Sequence, residues 1–135
     1  MRPINKVIIH CSATPEGRDV KTKEIKKWHL SNGWADIGYH YVIELDGKVV
    51  EGRPVELVGA HCVGQNKFSI GICYVGGMNK SMSKPKDTRT EEQKESIVKL
   101  IKKLRSRYGD LTIHGHNEYN TSKACPSFDV ANEGY

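Results

Sequence analysis

Apolar and polar positions alternate along the chain in two distinct rhythms. KVIIHC at residues 6–11 is a β-branched run, apolar at successive positions as a strand enclosed within a sheet requires, and it delivers His10 near its end. TPEGRD at 14–19 reads as a loop. TKEIKKWHLSNG at 22–33 predicts a helix, with Ile25, Trp28 and His29 on one face and Asn32-Gly33 as its stop. YHYVIEL and KVVEGR flank Asp46-Gly47, a strong hairpin signal, so these two strands are expected to be antiparallel. SIGICYVGG at 69–77 predicts another buried strand, and the polar MNKSMSKPKDTR that follows predicts a surface loop. Thr90, with Gln93 three residues on, forms a capping box. Ile97, Leu100, Ile101 and Leu104 then recur at helical spacing until Gly109. LTIH at 111–114 predicts a last strand, ahead of an irregular tail carrying GHNEYNTSKACPSFDV.

Strands alternating with two amphipathic helices, one hairpin among them, predict an α/β fold: a mixed β-sheet flanked by helices. In such folds ligands collect at the loops beyond the strand ends, where His10 and the tail after residue 114 are placed. A chain of 135 residues fits one domain, residues 1–135, with one site on one scaffold.

Charge and cysteine usage refine the setting. A formal charge of +5 favours polyanionic surroundings such as a bacterial wall or nucleic acid, although most of the excess sits in lysine clusters that read as solvated helix faces. MRPINKVIIH has no apolar run of signal-peptide length, and no later stretch is long and apolar enough to span a bilayer. The expectation is synthesis in the cytoplasm, no membrane partner, and delivery to any wall substrate by another factor. Cys11, Cys62, Cys73 and Cys125 are widely spaced without a C-x-x-C pair, which favours a reducing compartment.

His10, His114, His116 and Cys125 are soft donors at predicted strand ends, and a catalytic zinc takes three protein ligands plus an open position. Imidazole and thiolate suit zinc, whereas magnesium or calcium would call for a carboxylate cluster. On spacing alone the same residues equally suit an inert buried thiol among hydrogen-bonded histidines.

Six blocks in order carry a family resemblance: VIIHCSAT, WHLSNGW, IGYHYVIELDGKVVEGR, GAHCVGQNKFSIGI, GHNE and KACPSFD. Along nearly its whole length the chain resembles the type 2 N-acetylmuramoyl-L-alanine amidases, which share their scaffold with peptidoglycan recognition proteins. The resemblance implies hydrolysis of the amide between N-acetylmuramic acid and L-alanine in peptidoglycan, as in phage or prophage lysis enzymes. It also implies one zinc per chain held by His10, His116 and Cys125, with His114 a neighbour that does not bind metal. Tyr39 and Lys123 are implied to act on the transition state, Lys123 as an oxyanion donor and Tyr39 in orienting water or passing a proton. His61 and Asn66 match positions lining the muropeptide groove. His29 and His40 stay outside the site as structural histidines, while Trp28 and Trp34 are assigned to packing and Cys11, Cys62 and Cys73 to the core. The loop between His116 and Cys125 is slightly longer than in a phage relative, which makes the orientation of Lys123 the point to check.

Other classes fit less well. Non-cutting recognition proteins of this scaffold lack the cysteine ligand, and Cys125 is present here. A phage member of the family also binds RNA polymerase, a second partner that the resemblance allows beside the muropeptide. Nucleic acid as a partner is disfavoured: IHGHNEYN has a nuclease-like look, but aromatic residues are only 7% of the chain, too few for a stacking surface. The expected oligomeric state is a monomer.

Overall fold

The computed structural model describes residues 2–135. Its main sheet has five strands in the order β4-β3-β5-β1-β7, formed by β1 (Lys6–Cys11), β3 (Tyr41–Ile43), β4 (Val49–Glu51), β5 (Ser69–Tyr74) and β7 (Thr112–Gly115). All neighbours pair in parallel except β3 and β4, the hairpin predicted around Asp46-Gly47. Gly47 adopts φ +91°, which the turn requires and a side chain resists. The predicted mixed sheet flanked by helices is therefore present. A small parallel pair, β2 (Thr14–Pro15) with β6 (Gly77–Met78), extends the structure beyond the strand ends where a loop was expected.

β1 and β5 are interior strands, and their residues from Val7 to Cys11 and from Ser69 to Tyr74 are buried. Alternation sends Val7, Ile9, Tyr41, Ile43, Ile70, Ile72 and Tyr74 to one face. There they pack on Ile97, Leu100, Ile101 and Leu104 of α2 (Glu91–Tyr108). Val42 points to the other face and joins Ile25 of α1 (Thr22–Ser31), Ile37 and Val75 in a smaller cluster.

The helix ends follow the sequence. The Thr90 side chain accepts from the Gln93 amide at 3.1 Å, and the Gln93 side chain returns the bond to the Thr90 amide at 2.9 Å. α1 is capped from outside: the buried Glu44 carboxylate, just past β3, accepts from both the amide and the hydroxyl of Thr22. Beyond Asn32, Gly33 turns at φ +87° and stops the helix as expected. α1 buries only Thr22 and Ile25, so Trp28 does not reach a core. Trp28 and Trp34 are each 39% exposed, which corrects their assignment to packing.

Candidate active site

Parallel register assembles the first half of the site. β1 and β7 pair Ile9 with Gly115, so the next residues, His10 and His116, leave the same end of the sheet side by side. Their rings lie 4.6 Å apart between centroids, close to the spacing of neighbouring strands. His116 opens a short helix, α3 (His116–Tyr119).

The tail supplies the second half. The Asn117 amide donates to the Cys125 carbonyl at 2.9 Å, and the buried Tyr74 hydroxyl donates to the Pro126 carbonyl at 2.6 Å. The Cys125 sulfur is thereby set against β1, where it accepts from the Cys11 amide at 3.2 Å and lies 3.7 Å from His10 Nδ1. One donor atom from each of His10, His116 and Cys125 falls within 4.8 Å of the others, so a metal ion could be held there. His114 stays outside the group, its ring nitrogens facing Glu118 at 3.1 Å and Thr112 at 2.8 Å.

The protonation of the two imidazoles suits a cation. Burial, and then His61 and His116, hold the His10 imidazole well below the usual 6.5. Burial and the positive charge of Lys123 lower His116 in the same direction. Both rings are therefore neutral near pH 7, with lone pairs to give. The neighbouring Cys125 thiol, against burial, brings Cys11 down to about 7, while Cys11 and then burial push the Cys125 thiol up.

Tyr39 sits beside the group, its ring centroid 5.1 Å from that of His10. Burial, followed by the nearby Cys73, Cys125 and Cys11 thiols, raises its phenol well above 10.0. The phenol is a hydrogen-bond donor near neutrality, not a base. Lys123 is exposed and lines a groove with His116, His61, Asn66, Trp34 and Val63. The slightly longer loop thus leaves Lys123 on the groove that carries His116. Asn66 holds one wall in shape, its side-chain oxygen accepting from the amides of His61 and Cys62, each at 2.9 Å.

The histidines kept out of the site have structural partners: His29 Nδ1 accepts from the Gly38 amide, and His40 Nδ1 from the Gly71 amide. Cys11, Cys62 and Cys73 are buried free thiols. Sequence reasoning missed the place of Trp34 on the groove and of Cys11 against Cys125. The signal for Trp34 lay just beyond the helix stop at Gly33, where a large apolar side chain has no helix face to bury in. A separate concavity between β4 and α2, lined by Arg53, Lys103 and Arg107, contains none of the three converging residues.

The endolysin of Escherichia phage T7 is 40% identical over 124 residues, covering 92% of this chain and 81% of that protein. Peptidoglycan-recognition protein SC2 of Drosophila simulans is 34% identical over 115 residues, covering 82% of this chain and 59% of that one. Among solved structures, the N-acetylmuramoyl-L-alanine amidase LysC from Clostridium intestinale superposes with a TM-score of 0.82 at 26% identity, covering 98% of this chain and 83% of LysC. The Amidase_2 family, described as N-acetylmuramoyl-L-alanine amidase, matches residues 1–128. With a family match over nearly the whole chain and the fold of a family amidase around a histidine-cysteine group at the sheet's end, the chain belongs to the N-acetylmuramoyl-L-alanine amidase family.

Proposed function

We propose that this protein is a zinc-dependent endolysin-type amidase, with residues 1–135 as one catalytic domain, that cuts peptidoglycan between N-acetylmuramic acid and L-alanine. The observation that carries the zinc reading is the convergence of His10, His116 and Cys125 beside a groove. Two imidazoles and a thiol are a zinc-type donor set that leaves a position open. The 3.7 Å between His10 Nδ1 and Cys125 Sγ fits it, since tetrahedral Zn–N and Zn–S bonds of ordinary length set such donors about 3.5 Å apart. Among the described residues no helix is long and apolar enough to cross a membrane. We assign the protein's action to the cell wall, the location of the proposed peptidoglycan substrate.

Bound there, zinc would polarise the scissile carbonyl and acidify a water molecule. The chain's own residues do the rest. Lys123, an exposed cation on the groove wall, is assigned to the oxygen that gains negative charge as the amide is attacked. Tyr39, kept protonated by its surroundings, is assigned to hydrogen-bond donation at the reacting centre, towards that oxygen or the departing amine. The His61 and Asn66 wall holds the glycan-peptide junction against them.

The test is mass spectrometry of purified peptidoglycan digested with and without a chelator. Stem peptides bearing a free L-alanine amino group, lost on chelation and restored by zinc, are the expected products. New reducing sugar ends in their place would overturn the reaction; chelator-resistant release would overturn the metal.

A further inference from the structure

A buried chain of hydrogen bonds runs away from the metal group into the protein. His10 Nε2 lies 2.8 Å from His61 Nδ1, and His61 Nε2 lies 3.3 Å from Ser69 Oγ. The Ser69 hydroxyl in turn donates to the Gln65 carbonyl at 2.8 Å. Counting protons from the far end settles the direction of every bond. A carbonyl only accepts, so the single serine proton is spent on Gln65. Ser69 Oγ must then accept, which makes His61 the tautomer protonated on Nε2. Its Nδ1 therefore carries a lone pair, and the proton in the 2.8 Å bond belongs to His10 Nε2. What remains on His10 is the Nδ1 lone pair, and Nδ1 is the nitrogen that faces Cys125.

We infer that His61 is a positioning residue for the metal site, accepting the Nε2 proton of His10 and so holding His10 with its Nδ1 lone pair towards Cys125 and His116. The inference rests on the metal reading of the group and deepens it. Both His61 nitrogens are committed within the protein, leaving no ring nitrogen to hydrogen-bond a muropeptide, so its contribution to the groove wall is carbon surface. His10, His61 and Ser69 are all buried, which protects the bonds from competition by water. The backbone is cut to fit: a Cβ on Gly71 would stand 2.7 Å from two atoms of the His61 ring, and one on Gly59 would stand 2.8 Å from it. Two glycines leave the space that the imidazole occupies, where a larger residue would push it off His10. Partners of this kind fix the tautomer of a ligating histidine, and losing one typically costs about 10- to 100-fold in metal affinity.

The experiment pairs two readouts on wild type, His61→Ala and His61→Asn. Asparagine places a carbonyl oxygen near the former Nδ1 and serves as the conservative rescue. Long-range proton–nitrogen NMR of the chelator-treated proteins reads the His10 tautomer, and zinc competition against a chromophoric chelator reads affinity. Wild type is expected to show His10 protonated on Nε2 alone. His61→Ala should show mixed tautomers and a zinc affinity lower by about 10- to 100-fold, and His61→Asn should recover the single tautomer and most of the affinity. If His61→Ala fails to fold, Ser69→Ala, which frees His61 to adopt either tautomer, takes its place with the same expectation. A His10 proton on Nδ1 in wild type, or equal zinc affinity in all variants, would overturn the inference. Wild type that binds no zinc while showing the Nε2 tautomer would sink the metal reading and leave the hydrogen-bond chain standing.

Discussion

Lys123 and Cys125 stand two positions apart, yet the residue chemistry gives them opposite duties. A lysine is protonated near neutral pH and makes a poor zinc ligand, so Lys123→Ala should keep bound zinc near stoichiometric. Turnover should fall by about 100- to 1000-fold, the usual loss when one preorganised oxyanion donor is removed. Muropeptide affinity should change far less, because a contact made chiefly in the transition state hardly affects the ground state. Tyr39→Phe should follow the same pattern, keeping metal and shape while losing the proton that its raised pKa retains. Zinc content, muropeptide affinity and turnover measured on both variants check this, and near wild-type turnover in Lys123→Ala would remove that lysine from the mechanism. The meeting of His10, His116 and Cys125 was legible through the family resemblance alone, since by spacing His114 stood equal with them. The bond from His10 to His61 was not, since it joins a strand to a loop residue 51 positions away, a meeting that no local pattern encodes.

At the scale of elements, caps and turns were the legible part. Thr90, Gln93, Gly33 and the Asp46-Gly47 turn each act through a few neighbouring residues and appear where expected. The β2–β6 pair was illegible because Thr14 and Pro15 become a strand only beside Gly77 and Met78. Gln93 does more than cap: its buried amide donates to the carbonyls of Ile43, Glu44 and Val75, tying the start of α2 to the ends of β3 and β5. Thr90→Ala should cost about 1 kcal/mol, an ordinary N-cap loss. Gln93→Leu should cost more, about 2 kcal/mol or above, since it strands buried carbonyls; urea titrations of the two variants should rank them in that order. His40 binds the same sheet differently. Its Nδ1 accepts from the Gly71 amide at 3.0 Å and its Nε2 proton points to the Leu57 carbonyl at 2.9 Å. Burial, partly offset by the Leu57 bond and reinforced by Arg2 and Arg53, lowers its pKa to about 4. Above pH 6.5 His40 is neutral folded or unfolded and contributes no pH dependence. As pH falls from 6.5 to about 4 the unfolded chain takes the proton and the folded chain refuses it, so stability drops by about 3 kcal/mol over that window. Chelator-treated protein should melt progressively lower from pH 6.5 to 4, and His40→Gln should show a shallower slope; an equal slope would clear His40 of the effect.

Across the whole molecule, the His10–His116–Cys125 group joins the first strand to the tail: His10 and Cys125 are 115 residues apart. The tail is already pinned without an ion. The buried Arg89 side chain bonds Asp87 at 2.7 Å and Glu133 at 2.6 Å, and its guanidinium lies 3.5 Å from the Phe128 ring centroid, on either side of which the tail turns back to the sheet. Two hydrophobic clusters hold the sheet between its helices, with Cys125 and Tyr39 packed only against their margins. Zinc should therefore act as a ligand to a preformed fold and not as a folding switch. Binding only the native state, it should stabilise by about 2.7 kcal/mol at a free concentration 100 times its dissociation constant, or roughly 10 °C in melting temperature for a chain of this length. Cys125→Ser should fold, melt close to the chelator-treated wild type, and no longer respond to added zinc. Calorimetric scans of both proteins with zinc and with chelator decide between the alternatives. Were chelation alone to unfold wild type, the ion would be a structural staple and the Arg89 latch insufficient. A Cys125→Ser melting curve that still climbs with zinc would place the ion elsewhere.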